Sequence, residues 1–163
     1  MAEPIAFTFS DTLSAGLNAA LARAHDFTPA MRSIAALMEE AAQLRFETQS
    51  GPDGTPWLPS RRAAAVKGGK TLFKSGKLLG SLTSAFDATS AQAGTNVVYA
   101  AIHQTGGTIR GKTRPDRTTA PLRTPFGPRA SVTIPARPFL GFSVEDVGGI
   151  EGILTSHLAG VAA

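Results

Sequence analysis

The chain has no cysteine. Disulfides, thiolate nucleophiles and cysteine-ligated zinc are thereby excluded, and the composition fits assembly in a reducing cytoplasm. Aromatic side chains are scarce apart from phenylalanine: there is one Trp, one Tyr and nine Phe. At 163 residues, one domain's worth of chain, the core has to be filled by Phe, Leu, Ile and Ala. No run approaches the roughly 18 apolar residues of a membrane span. The opening residues, MAEPIAFTFSD, carry acid rather than base and lack the apolar stretch of a secretory signal. The expectation is a soluble product with no membrane partner, kept inside the cell or released by lysis.

Acids are almost missing from the middle. Between Arg61 and Arg137 stand 13 of the 16 basic residues and two of the 12 acids, Asp87 and Asp116. That stretch carries +11 and the remainder −7. One reading is a nucleic-acid-binding module that uses this basic region. The other is that acidic ends face basic middles, within a molecule or between neighbours in an assembly. The second is preferred, because no aromatics are interleaved with the bases as single-strand binders require.

Groups for chemistry are also lacking. GGKT at 68–71 has the look of the end of a phosphate-binding loop, but the glycine required five positions before Gly69 is Ala64. His25, His103 and His157 lie far apart and without metal spacing. His103, in the apolar YAAIHQ, reads as a structural imidazole hydrogen-bonded to backbone rather than as a ligand or base. There is no G-x-S-x-G elbow. Glu145 and Asp146 stand where a helix begins, and the helix dipole accounts for them. The chain is expected not to be an enzyme and to hold no cofactor or metal.

What is present is mostly pattern. Residues 11–24 place Leu13, Leu17, Ala20, Leu21 and Ala24 on one helical face. Residues 28–48 make a better helix, with Thr28 as cap, Pro29 in the first turn, and Met31, Ile34, Ala35, Met38, Ala41, Ala42 and Phe46 as its buried stripe. The short HDF between them suggests a helical hairpin. SGPDGTPWLPS, 50–60, is a loop in which Trp57 serves as an anchor. Leu78, Leu79 and Leu82 begin a buried segment, and a β-hairpin follows with strands near 82–89 and 91–96. VYAAIHQTGG is a short helix or strand ending at Gly106 and Gly107. Residues 108–131 are basic and Pro-rich without apolar period: a flexible arm or an extended hairpin, with ASVTIPA as a returning strand. A C-terminal helix starts near 144, with Val147, Ile150, Ile153 or Leu154, and Leu158 inward. The sum is one α+β domain over 1–163: an antiparallel sheet packed with an N-terminal helical hairpin and a C-terminal helix, carrying a long basic arm.

IPARPFLGFS, 134–143, is neither central strand nor helix interior, since neither proline can donate a backbone hydrogen bond. Its prolines hold an extended corner that Phe139, Leu140 and Phe142 anchor on the core. Arg137 either presents its planar fork to a carboxylate, on this chain or a neighbour, or caps a local carbonyl or acid.

Four stretches in this order, SGPDGTPWLP, LFKSGKLLGSL, NVVYAAIHQTGG and IPARPFLGFSVED, resemble the phage virion morphogenesis family, which includes tail completion proteins of contractile-tailed phages. The resemblance covers residues 28 to 158, with a variable basic insertion before the fourth stretch. Thr105 and the Arg- and Pro-rich insertion depart from its pattern. It implies a structural virion protein of the neck or head-proximal tail end, which completes the tail and enables head–tail joining. It implies a ring, a hexamer, around the tail axis, in the virion after assembly in the host cytoplasm. Its partners would be copies of itself, the tail tube, neck or head–tail connector proteins, and DNA in the channel. The matching motifs mark Trp57, Tyr99, His103, Gln104, Gly106, Gly107, Pro138, Phe139 and Leu140 as structural anchors. Arg110, Lys112, Arg114, Arg117, Arg123 and Arg137 are the candidate interface.

Overall fold

The computed structural model describes residues 12–112, 120–125 and 127–160. Helix α1 (Thr12–His25) precedes α2 (Thr28–Thr48), the element on which most others rest. Proline stands in the first turn of α2, where its missing N–H costs nothing. The N-cap is Phe27, which makes no side-chain capping bond, and Thr28 is not the cap; the Asp26 carboxylate accepts from Thr28 N at 3.0 Å. Ala30, Ile34, Ala35, Ala42 and Phe46 recur at helical spacing and form its buried stripe. The helix ends at Gln49, in the left-handed conformation at φ 57°.

Across this stripe lies a hairpin of β1 (Leu82–Phe86) and β2 (Ala91–Thr95), with Leu82 opposite Thr95 and Phe86 opposite Ala91. The Asp87 carboxylate closes its turn by accepting from the backbone of Thr89 and Ser90 and from both hydroxyls. Before it, residues 61–81 are mostly irregular: one helical turn, α3 (Arg61–Ala64), and a 3₁₀ turn at Leu79–Ser81. Helix α4 (Ala100–Thr105) leads into β3 (Gly107–Arg110), which pairs antiparallel with β6 (Ser131–Ile134). Between them β4 (Leu122–Thr124) and β5 (Gly127–Arg129) form a second small hairpin. The described parts of the basic arm are therefore an extended hairpin. The architecture is α+β, with three two-stranded antiparallel ladders among the described residues.

Helix α5 (Val144–Ala159) opens with a reciprocal capping box between Ser143 and Asp146 and ends on Gly160 at φ 75°. It packs on α2, and α1 packs on α5. The His157 ring nitrogen Nε2 lies 3.0 Å from Arg23 O and 2.9 Å from Asp26 O. Both are carbonyl acceptors, so Nε2 carries the hydrogen and donates to them. Arg23 Nε donates in return to Leu158 O at 3.4 Å.

Two expected faces are not buried. Leu17 of α1 is 67% exposed and Leu21 is also exposed; the hydrogen bonds that tie α1 to α5 lie at its last turn, through Arg23. No residue of α5 is fully buried, and Val147 and Leu158 are exposed. The core lies between the C-terminal half of α2 and the loops: Ala42, Phe46, Trp57, Leu78, Leu82, Ala100 and Phe139. Phe46 meets Trp57 edge-on at 5.6 Å and Phe139 at 5.4 Å between ring centroids.

Candidate functional site

The segment 135–141 has no strand partner, so its backbone groups need side chains. Arg137 N donates to His103 O at 2.7 Å. Pro138 O accepts from Trp57 Nε1 at 3.0 Å. Phe139 N and Leu140 N both donate to Gln104 Oε1, at 3.0 and 3.1 Å, and Leu140 O accepts from Gln104 Nε2 at 2.7 Å. Phe139 O accepts from Arg45 Nη1 at 3.1 Å. The Phe139 ring is wholly buried, a burial worth about 1.5–3 kcal/mol. Phe142, expected on the core, is 55% exposed because the chain has turned outward at Gly141.

Two glycines, Gly106 and Gly141, permit this geometry. Gly106 has φ 72°, and a Cβ there would stand 2.7 Å from Ala136 N. Gly107 opens β3 opposite Ile134. Gly141 has φ 146°, and a Cβ would meet Pro52 at 2.8 Å. Pro52 belongs to the 50–60 loop, which Asp53 braces by accepting from Thr55 N and Oγ1. Those bonds hold the Asp53 carboxyl below its ordinary range.

Arg45 was invisible as a site residue in the sequence. It lies buried in α2, pairs with Asp146 in the α5 capping box, and bonds the corner through Phe139 O. One guanidinium thus joins α2, the corner and α5. This is the one ion pair among the described residues whose partners are both largely buried.

Arg137 is only 5% exposed. Its Nε donates to Leu58 O at 2.9 Å, so it meets a local carbonyl and not a carboxylate of the described chain. Burial lowers its affinity for its proton. His103 is placed differently from expectation. Its ring makes no backbone hydrogen bond: Nδ1 is buried without a partner, and Tyr99 packs edge-on at 6.0 Å. Burial, and then the Arg137 charge, push the His103 pKa below its ordinary value. Tyr99 is partly exposed and Val98 before it is 96% exposed.

Several basic residues of the 61–77 loop and the arm are exposed. Arg62 is used structurally, donating to Lys70 O at 2.7 Å and Phe73 O at 3.0 Å. Lys67, Lys70, Lys74 and Lys77 are exposed, as are Arg110, Lys112 and Arg123 of the arm. Arg110 lies in β3 and Arg123 in β4, whereas Arg114 and Arg117 fall outside the described residues. At the start of α5, Phe142, Ser143, Val144, Val147, Gly148 and Glu151 line a shallow depression of about 450 Å³. Among the described residues no cluster of three His, Asp or Glu side chains is placed to hold a metal ion, and no helix is long and apolar enough to cross a membrane.

A model of the phage virion morphogenesis family matches residues 10–159. The chain belongs to that family. Mu-like prophage FluMu G protein 2 of Haemophilus influenzae is 35% identical over 122 residues, covering 75% of this chain and 71% of the relative. Tail completion protein S of Escherichia phage P2 is 31% identical over 133 residues, covering 77% of this chain and 79% of the relative. No solved structure matches the chain. Within the virion morphogenesis family the role is structural, in building the phage particle.

Proposed function

We propose that the protein completes a phage tail. It occupies the head-proximal end, forms a ring of six copies around the tail axis, and enables the tail to join the filled head. The observation that carries this reading is the likeness to tail completion protein S along 77% of this chain and 79% of that relative. The surface supports it. Exposed bases of the 67–77 loop and of the arm suit an acidic face on the tail tube or a neck protein, or DNA passing through the channel. The protein acts as a structural component and not as an enzyme, is assembled in the host cytoplasm, and remains in the virion.

Gold-labelled antibody against the chain, applied to intact particles and to isolated tails, tests the placement. Label confined to one end of the tail, the end that meets the head, supports it. Label along the tail, at the distal end, or absent from particles contradicts it.

A further inference from the structure

Arg137 is the least explained charge in the molecule. It is 5% exposed, yet no carboxylate of the described chain meets it. Only Nε is engaged, with Leu58 O. The two terminal amino groups have no partner among the described residues, and the adjoining His103 Nδ1 is a buried nitrogen without one. The side chain is packed in, but its two terminal nitrogens are not among the fully buried unpartnered atoms, so the fork keeps a small opening to the surface. The side chain is nevertheless held firmly: its backbone N–H is bonded to His103 O and a proline follows. Arginine presents a flat fork that matches a carboxylate with two parallel bonds. Exposed Val98 and half-exposed Tyr99, whose ring lies on His103, offer an apolar rim beside it.

The same chain displays carboxylates with no partner among the described residues. Glu40, Glu47, Glu145 and Glu151 are exposed, whereas Asp146 is already engaged by Arg45. Both kinds of site remain unpaired in a single copy. We propose that Arg137 is the receptor for a glutamate carboxylate of a second copy of this chain, the pair forming only when copies join. Repeated head to tail, such a contact is the kind from which closed rings are built. This rests on the reading of the protein as a ring-forming virion component.

Sedimentation equilibrium of the purified chain at low salt tests it. The wild-type chain self-associates, and Arg137→Met raises the dissociation constant at least about 30-fold, as does Arg137→Lys, which keeps charge but loses the fork. One of Glu40→Gln, Glu47→Gln, Glu145→Gln and Glu151→Gln reproduces the loss and is non-additive with Arg137→Met. Should the Arg137 variants fail to fold, the four glutamine variants carry the test. Wild-type association by Arg137→Met, or by all four glutamine variants, overturns the proposal, and so does a wild-type chain that stays monomeric. Duplex DNA binding lost in Arg137→Met, with association unchanged, would make phosphate the ligand and also overturn it. Any of these failures leaves the labelling of particles unaffected, so the receptor and the tail reading fall separately.

Discussion

Gln104 holds Leu140 from both sides of its backbone: Nε2 donates to Leu140 O at 2.7 Å while Oε1 accepts from Leu140 N at 3.1 Å. A primary amide supplies donor and acceptor at one tip, so a single side chain stands in for the strand that two prolines keep away. Replacing Gln104 by Leu leaves Phe139 N, Leu140 N and Leu140 O without partners in a partly buried place. The expected loss is about 2–4 kcal/mol in urea unfolding. Gln104→Glu keeps the acceptor and should lose less. A leucine variant as stable as wild type would show that water replaces the clamp.

Arg45 and Asp146 form a buried pair on which three elements converge. Arg45→Ala strands the Asp146 carboxylate and removes the bond to Phe139 O. It should cost about 3–5 kcal/mol. Asp146→Asn can still accept from Ser143 N and should cost less. Denaturant midpoints of the two variants check the order.

Two glycine substitutions should move stability in opposite directions. Gly106→Ala places a Cβ against Ala136 N in a left-handed conformation and should destabilise by at least about 2 kcal/mol. Gly16 lies inside α1 with open space around it, and Gly16→Ala should stabilise by about 0.5–1 kcal/mol. Thermal melts of the two proteins suffice.

Stability should rise with pH through the range just below neutrality. Burial and the Arg137 charge keep the folded His103 pKa under its ordinary 6.5. As pH falls past that value the unfolded chain takes up a proton that the folded chain refuses, so stability is lost. His103→Gln should flatten the slope of melting temperature between about pH 7 and pH 5. Asp87 acts at lower pH. Hydrogen bonds from Ser90 and Thr89 hold it at about 2, so its contribution is present above the ordinary carboxylate range and disappears as pH falls through about 2. In Asp87→Asn that acid-range loss should be absent.

The arm should matter for joining and not for folding. Changing Arg110, Lys112 and Arg123 together to Gln should leave the melting temperature within a degree or two, because these exposed charges contribute little. Complementation of a deletion with this variant should yield unjoined heads and tails. Joined particles at wild-type yield would remove the arm from docking.

Much of the fold is legible along the chain because its signals are local. The α2 stripe repeats at helical spacing, and strands of five residues flank a turn rich in Asp, Thr and Ser. What escapes is long-range. Arg45 looks like one more exposed base on an amphipathic helix, and its partner Asp146 lies 101 residues away. Trp57, Gln104 and Phe139 sit in separate motifs, and nothing in their spacing says that they touch. The apolar face of α1 is readable as a pattern, but its exposure is not, because a hydrophobic stripe does not say whether its cover is on the same chain. The unpartnered His103 ring, expected to bond backbone, escapes for the same reason. The bonded imidazole is His157, which reaches the carbonyls of Arg23 and Asp26 around the end of α1, a fact of packing and not of local sequence.

The central claim is that this chain completes the tail. Electron microscopy of lysates from a phage or prophage lacking the gene, beside a complemented control, tests it most directly. The account predicts filled heads apart from tails, some of them overlong or frayed, with joined particles restored by complementation. Normal joined particles without the gene would contradict it.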